Sequence, residues 1–184
     1  MAAIGVFCAS ARALPERWLE LARELGREIG SRGHSLVSGG GCVGMMGAVA
    51  DGARSAGAHT YGVIPRSLVA LEIADRAADE LVITEDMFSR KTVMLDKADA
   101  FITLPGGLGT LDELFEVWTL ATLAAHVKPV VLLDADGFYA GLLDWLAALV
   151  PAGFVRREAL DLLAVVADVP AALSTVERGL GWTR

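Results

Sequence analysis

Short apolar runs alternate along this chain with longer stretches of helical period. Ile4 to Cys8 is apolar at successive positions, as a strand covered on both faces requires. Pro15 stands where a first helical turn accepts proline. Trp18, Leu21, Ala22, Leu25 and Ile29 then recur at helical spacing, and Gly33 ends the run. Ser35 to Val37 begins a second strand, which leads through glycines into a helix containing Met45, Met46, Val49, Ala50 and Ala53. Thr60 to Ile64 is a third strand, Leu68 to Ala78 reads as loop, and Glu80 to Thr84 is a fourth strand. Asp86 can cap the next helix, whose Met87, Met94 and Ala98 share one face. Ala100 to Leu104 is a fifth strand. The helix that follows begins at Thr110, buries Leu111, Leu114, Phe115, Trp118 and Thr122, and ends near His126. Pro129 to Asp134 (strand), Phe138 to Val150 (helix with Leu142, Trp145, Leu146 and Leu149 inward), Arg156 to Leu160 (short helix), Leu162 to Val166 (strand) and Val169 to Arg178 (helix) complete the pattern.

Such alternation predicts an α/β fold: a Rossmann-like, doubly wound parallel sheet with helices on both faces. The 184 residues suffice for one such nucleotide-binding domain, spanning 1–184. Ligands of these sheets bind beyond the carboxyl ends of the strands, where strand order switches.

Composition narrows the partners. A net charge of −7 argues against nucleic acid, which requires a basic patch. Hydrophobic content of 54% fits a sheet covered on both faces and some surface given to a second copy, so a homodimer is expected. No apolar run approaches the roughly 18 residues that span a bilayer, and Met1 to Ala11 reads as a strand rather than a signal peptide, so no membrane partner is expected. Only Cys8 and Cys42 are present, without metal-ligand spacing. A reducing cytoplasm is therefore the expected location, with neither a metal nor another cofactor. Cys42, in a glycine loop, is either a reactive thiol or a small space-filler.

The chemistry concentrates at Pro105-Gly106-Gly107-Leu108-Gly109-Thr110-Leu111-Asp112-Glu113. A strand, a glycine turn and a helix start in succession aim unpaired N–H groups and a positive dipole end at whatever lies in front. Glu113 follows close behind. It is either an acid for chemistry or, with Thr110, half of a capping box, and the helix start should favour its ionised form. Gly39, Gly41 and Gly44 make a second glycine turn that also satisfies GxGxxG. A nicotinamide site, however, wants an acid after the next strand, where Pro65-Arg66 stands. Arg90 and Lys91 lie on or beside the apolar stripe of their helix. Either they snorkel to solvent or they meet a phosphate or carboxylate.

The nine-residue stretch resembles the PGGxGTxxE signature of the Lonely Guy family, cytokinin-activating phosphoribohydrolases often mislabelled as lysine decarboxylases. Ser38-Gly39-Gly40-Gly41 with Gly44-Met45-Met46-Gly47, and Arg90-Lys91, extend the resemblance, which runs from Ile4 to about Phe154. It implies hydrolysis of a nucleoside 5′-monophosphate, with N6-substituted adenines as substrates, to a free base and ribose 5-phosphate. Glu113 and Arg90 would be catalytic. Substrate contacts would come from Glu72, Arg90, Lys91, Gly107, Leu108, Gly109, Thr110, Leu111, Asp112, Glu113 and Thr119, and phosphate contacts from Gly40, Gly41, Gly107, Gly109 and Thr110. Local sequence leaves Glu72 equally readable as a solvated glutamate, and Thr119 as a hydroxyl bonded back to its helix. Two rivals are a non-catalytic nucleotide or molybdenum-cofactor carrier and a pyridoxal-phosphate decarboxylase. The latter would have only Lys91, Lys97 and Lys128 for its Schiff base.

Overall fold

The computed structural model describes residues 1–69 and 73–182. In chain order its elements are β1 (Ala3–Phe7), α1 (Glu16–Ser31), β2 (Ser35–Ser38), α2 (Gly44–Ser55), β3 (Thr60–Pro65), α3 (Arg66–Val69), β4 (Glu80–Thr84), α4 (Met87–Lys97), β5 (Ala100–Thr103), α5 (Leu108–Thr122), β6 (Val130–Leu133), α6 (Ala140–Ala148), α7 (Arg157–Asp161), β7 (Leu163–Val166) and α8 (Val169–Gly179). The seven strands form one sheet of order β4-β3-β2-β1-β5-β6-β7, every neighbouring pair parallel. The chain lays down β1 to β4 in one direction, then returns to place β5 against the free edge of β1. The switch in strand order therefore lies between β1 and β5, where Phe7 is paired with Thr103.

The strands are apolar at successive positions because the sheet has two cores. Ile4, Val6, Ile102 and Val131 face α1, α2 and α8, packing with Leu25, Val49 and Leu173. Phe7, Phe101, Val130 and Leu132 face the other way, toward Met94, Leu114, Trp118 and Leu146 of α4, α5 and α6. This is the doubly wound α/β arrangement. The segment after Phe154, which carries no legible motif, supplies β7 and α8. Glu177 of α8 is tied back by Arg32 at 3.1 Å and by the buried His34 at 3.3 Å.

Several boundaries differ from the periodicity. A one-turn helix, α3, stands at the start of the expected loop. The helix expected over 138–150 is shorter, because Asp136 and Gly137 take positive φ (55° and 67°) and turn the chain before α6. Trp145, expected inward, is 59% exposed. Sequence AGLLDWLAA is apolar nearly all round and does not specify which side faces the sheet.

Helices α1 and α2 approach so closely that Gly26 has no room for a side chain. A Cβ there would stand 2.1 Å from the Val49 carbonyl oxygen and 2.6 Å from the Ala53 nitrogen. Gly26→Ala should therefore destabilise the protein by about 2 kcal/mol despite alanine's better helix propensity. Gly141→Ala, in the exposed first turn of α6 with nothing within 4 Å, should stabilise by about 0.5–1 kcal/mol. Urea unfolding of both variants checks the contrast, and equal shifts would remove close packing as the cause.

Candidate active site

Because β1, β2 and β5 end along one rim, the loops that follow them converge there. They enclose a cavity of about 340 Å³. Its walls come from Cys8 to Ala11 after β1, Gly39 and Gly41 after β2, and Gly107, Gly109, Thr110, Asp112 and Glu113 of the signature; Arg90 joins them from α4. Met46, Ile64, Leu68, Ile73 and Met87 add apolar lining.

The signature folds differently from the capping-box expectation. Helix α5 starts at Leu108 with Gly107 as its cap, so Thr110 is the third helical residue and Glu113 lies in the second turn. The first N–H groups of α5, on Leu108, Gly109 and Thr110, have no carbonyl behind them within the helix. Glu113 is 6% exposed and takes no part in capping. Its Oε1 accepts instead from Arg90 Nη1 at 2.7 Å.

Arg90 is itself 5% exposed. Its Nε donates to the Val63 carbonyl of β3 at 3.1 Å. Its remaining nitrogen lies flat on Gly39, where a Cβ would stand 1.8 Å from Nη2. The side chain is thus held on three sides, and a glycine is required beneath it. Asp86 caps the helix that carries it, accepting from the Ser89 N–H at 2.7 Å.

Burial pushes the Glu113 carboxyl above its ordinary value, and the Arg90 guanidinium offsets this only in part. That differs from the helix-dipole expectation, since the second turn lies beyond the strongest part of the dipole. The Cys8 thiol, also on the cavity wall, is pushed up by burial and by the Glu113 charge, so it stays protonated and poorly nucleophilic.

Not every expected site residue reaches the cavity. Lys91 does not line the cavity; its Nζ lies 3.1 Å from Asp112 Oδ2 and 2.6 Å from Glu116 Oε2. Both cations of the Arg90-Lys91 pair therefore meet carboxylates. Thr119 is exposed on a separate groove with Phe115 and Glu116. Leu108 is 89% exposed, and Leu111 packs into the core beneath α5. Gly41 lines the cavity, but its N–H points to the Met46 sulfur at 3.1 Å. Gly40 does not line it, and its N–H donates to Ser38 Oγ at 3.3 Å. Glu72 lies outside the described residues.

Other contributors carried no signal of their own. Ile73 to Asp75 pair with the glycine turn: Cys42 N–H donates to the Ile73 carbonyl and Asp75 N–H to the Gly40 carbonyl, both at 2.8 Å. Asp75, 4% exposed, is fixed by Arg54 at the end of α2, at 2.7 Å. Ser10 on the cavity wall was findable from the rule that loops at strand carboxyl ends bind ligands.

A buried carboxylate and guanidinium depend on each other. Arg90→Met alone should cost about 3–5 kcal/mol, because it leaves the Glu113 carboxylate buried without a cation. Arg90→Met with Glu113→Leu should return stability to within about 1 kcal/mol of the parent. Denaturant unfolding of both single variants and the double variant reads the coupling, and additive losses would show that the two groups act separately.

A family model described as "Possible lysine decarboxylase" matches residues 46–176. The chain is 51% identical to the cytokinin riboside 5′-monophosphate phosphoribohydrolase of Mycobacterium marinum, over 96% of this chain and 94% of that one. It is 50% identical to the protein of the same name from Mycobacterium tuberculosis, over 92% of this chain and 90% of that one. Among solved structures it resembles the molybdenum cofactor carrier protein of Chlamydomonas reinhardtii, with a TM-score of 0.73, 28% identity and 98% of each chain covered. With relatives this similar over nearly its whole length, and with five signature residues in the cavity wall, the chain belongs to the Lonely Guy family, whose family model bears the lysine decarboxylase description.

Proposed function

We propose that the protein hydrolyses the N-glycosidic bond of cytokinin riboside 5′-monophosphates, and of AMP, releasing the free base and ribose 5-phosphate. Support comes above all from one juxtaposition: the buried Glu113 carboxylate, 2.7 Å from Arg90, opens into the same cavity as the start of α5. The free N–H groups of Leu108, Gly109 and Thr110 suit a 5′-phosphate. The apolar lining from Met46, Ile64, Leu68, Ile73 and Met87 suits a base with a hydrocarbon substituent.

In the reaction, water attacks C1′ while the bond from C1′ to the base nitrogen breaks. Positive charge develops on C1′ and the ring oxygen, and the Glu113 carboxylate stabilises it. Glu113 also takes the proton of the attacking water, a role favoured by its raised basicity. The bond's electron pair leaves with the base, which takes up a proton. Arg90 favours the ionised form of Glu113 against the effect of burial. Its nitrogen over Gly39, at the cavity wall, can meet negative charge on the phosphate or the departing base.

The decarboxylase description finds no support in the lysines. Lys91 is paired with Asp112 and Glu116, Lys97 lies over the Tyr61 ring, and Lys128 donates to the Leu95 carbonyl; none lines the cavity. A carrier related to the Chlamydomonas protein would use the same helix start but give the Glu113–Arg90 pair no reaction. The single sheet supports reading 1–184 as one domain, and the proposal takes it to act as a homodimer in the cytoplasm. Exposed Phe88, Leu108 and Leu123, at 76%, 89% and 71%, offer apolar surface for a second copy.

Incubation with AMP, an N6-substituted AMP and adenosine, with free base measured by chromatography, tests the function. Both nucleotides should be cleaved, with kcat/KM for AMP at least about 10²-fold above adenosine, since two or more charge-assisted bonds hold the phosphate. Glu113→Gln should bind AMP by calorimetry but hydrolyse it about 10³-fold more slowly. Binding without base release by the parent protein would favour the carrier.

The acid limb of kcat/KM follows from the raised Glu113 carboxyl. The ionised form is full above that raised value and is lost as pH falls through it. Activity should therefore begin to fall at a pH above that at which an ordinary glutamate titrates. A pH–rate profile checks this, and an acid limb at or below the ordinary range would contradict it.

A further inference from the structure

The signature turn is held from beneath by a residue that no motif marks. Tyr139, just before α6, is 3% exposed, and its Oη donates to the Leu104 carbonyl at 2.9 Å. The backbone of Gly106 also approaches the Tyr139 hydroxyl, on the far side of Pro105. The Pro105 carbonyl accepts in turn from the Ala9 N–H at 3.3 Å. On its other side Gly106 sits against Thr110, where a Cβ would stand 2.1 Å from Oγ1. Proline has no N–H to place. These contacts therefore fix the backbone from Leu104 to Gly106 and leave the first N–H groups of α5 as the donors directed at the cavity.

Tyr139 is itself anchored. Its N–H donates to Asp134 Oδ1 at 2.6 Å, and its ring stands edge-on to Phe138 with centroids 4.8 Å apart. It does not line the cavity and so acts on a ligand only through the turn.

We propose that Tyr139 is the positioning residue for the phosphate end of the cavity, its hydroxyl setting the angle at which the Gly106–Gly109 turn presents the N–H groups of α5. The proposal rests on the phosphate site described above. Tyr139→Phe removes one oxygen and keeps the ring. In the full-length protein, ribose 5-phosphate titrated by calorimetry should bind about tenfold more weakly, and the KM for AMP should rise about as much, the scale of a lost buried hydrogen bond. The kcat/KM for adenosine, which has no phosphate, should stay within about twofold, so the preference for AMP over adenosine shrinks about tenfold.

A hydroxyl that served stability alone would lower Tm and leave the ribose 5-phosphate Kd and that preference unchanged. Such a result overturns the proposal. Where Tyr139→Phe fails to fold, Asp134→Ala, which frees the Tyr139 backbone, should reduce the same preference, and an unchanged preference there overturns it equally. A parent protein that binds neither ribose 5-phosphate nor AMP would refute the phosphate site itself. A parent that binds both, with Tyr139→Phe indistinguishable from it, would refute the role of Tyr139 alone.

Discussion

A carboxylate withdrawn from water costs several kcal/mol unless a cation and hydrogen bonds go with it, and Glu113 meets that condition through a single guanidinium. Arg90 carries the same obligation and discharges it on three neighbours: Glu113, the Val63 carbonyl and the bare backbone of Gly39. Those neighbours belong to α5, β3 and the turn after β2, so one arginine ties together three segments that are not adjacent in sequence. Helix α4 must begin where Asp86 caps it for Arg90 to reach, and α5 must begin at Gly107 for Glu113 to fall on its inner side. The geometry of the rim is in large part the set of positions that keep these two charges together.

Much of this was legible in the chain. Strands apolar at successive positions can only be strands covered twice, so the doubly wound sheet followed from pattern. Glu113 stood out as the acid that follows the glycine turn of the signature, and Arg90 as a charge beside the apolar stripe of its helix. What the pattern could not supply was direction. Arg90 and Lys91 are adjacent, yet the first reaches the cavity wall and the second pairs with Asp112 and Glu116 of α5. The glycine turn likewise showed where backbone could approach a ligand but not which amide points outward. The Gly40 amide is taken up by Ser38 Oγ and the Gly41 amide meets the Met46 sulfur, while Asp75, far along the chain, holds the Gly40 carbonyl. The start of α5 was misread because Thr110 has the chemistry of a cap, while Gly107 supplies the conformation of one. Tyr139 gave no sign at all, since a tyrosine at the head of an apolar helix reads as core.

The short antiparallel bridge of Gly41 with Ala74 bears on how binding and stability are linked. The strands of the sheet pair in parallel ladders, whereas this bridge lies outside them and latches a loop onto a turn already passed. Arg90 of α4 covers Gly39 in the same turn. The rim at the strand ends is thus joined by isolated contacts from separate parts of the chain rather than by a ladder. A ligand seated there binds the folded rim and not the unfolded chain, so it stabilises the whole protein by an amount that keeps growing with the logarithm of its concentration after the site is full.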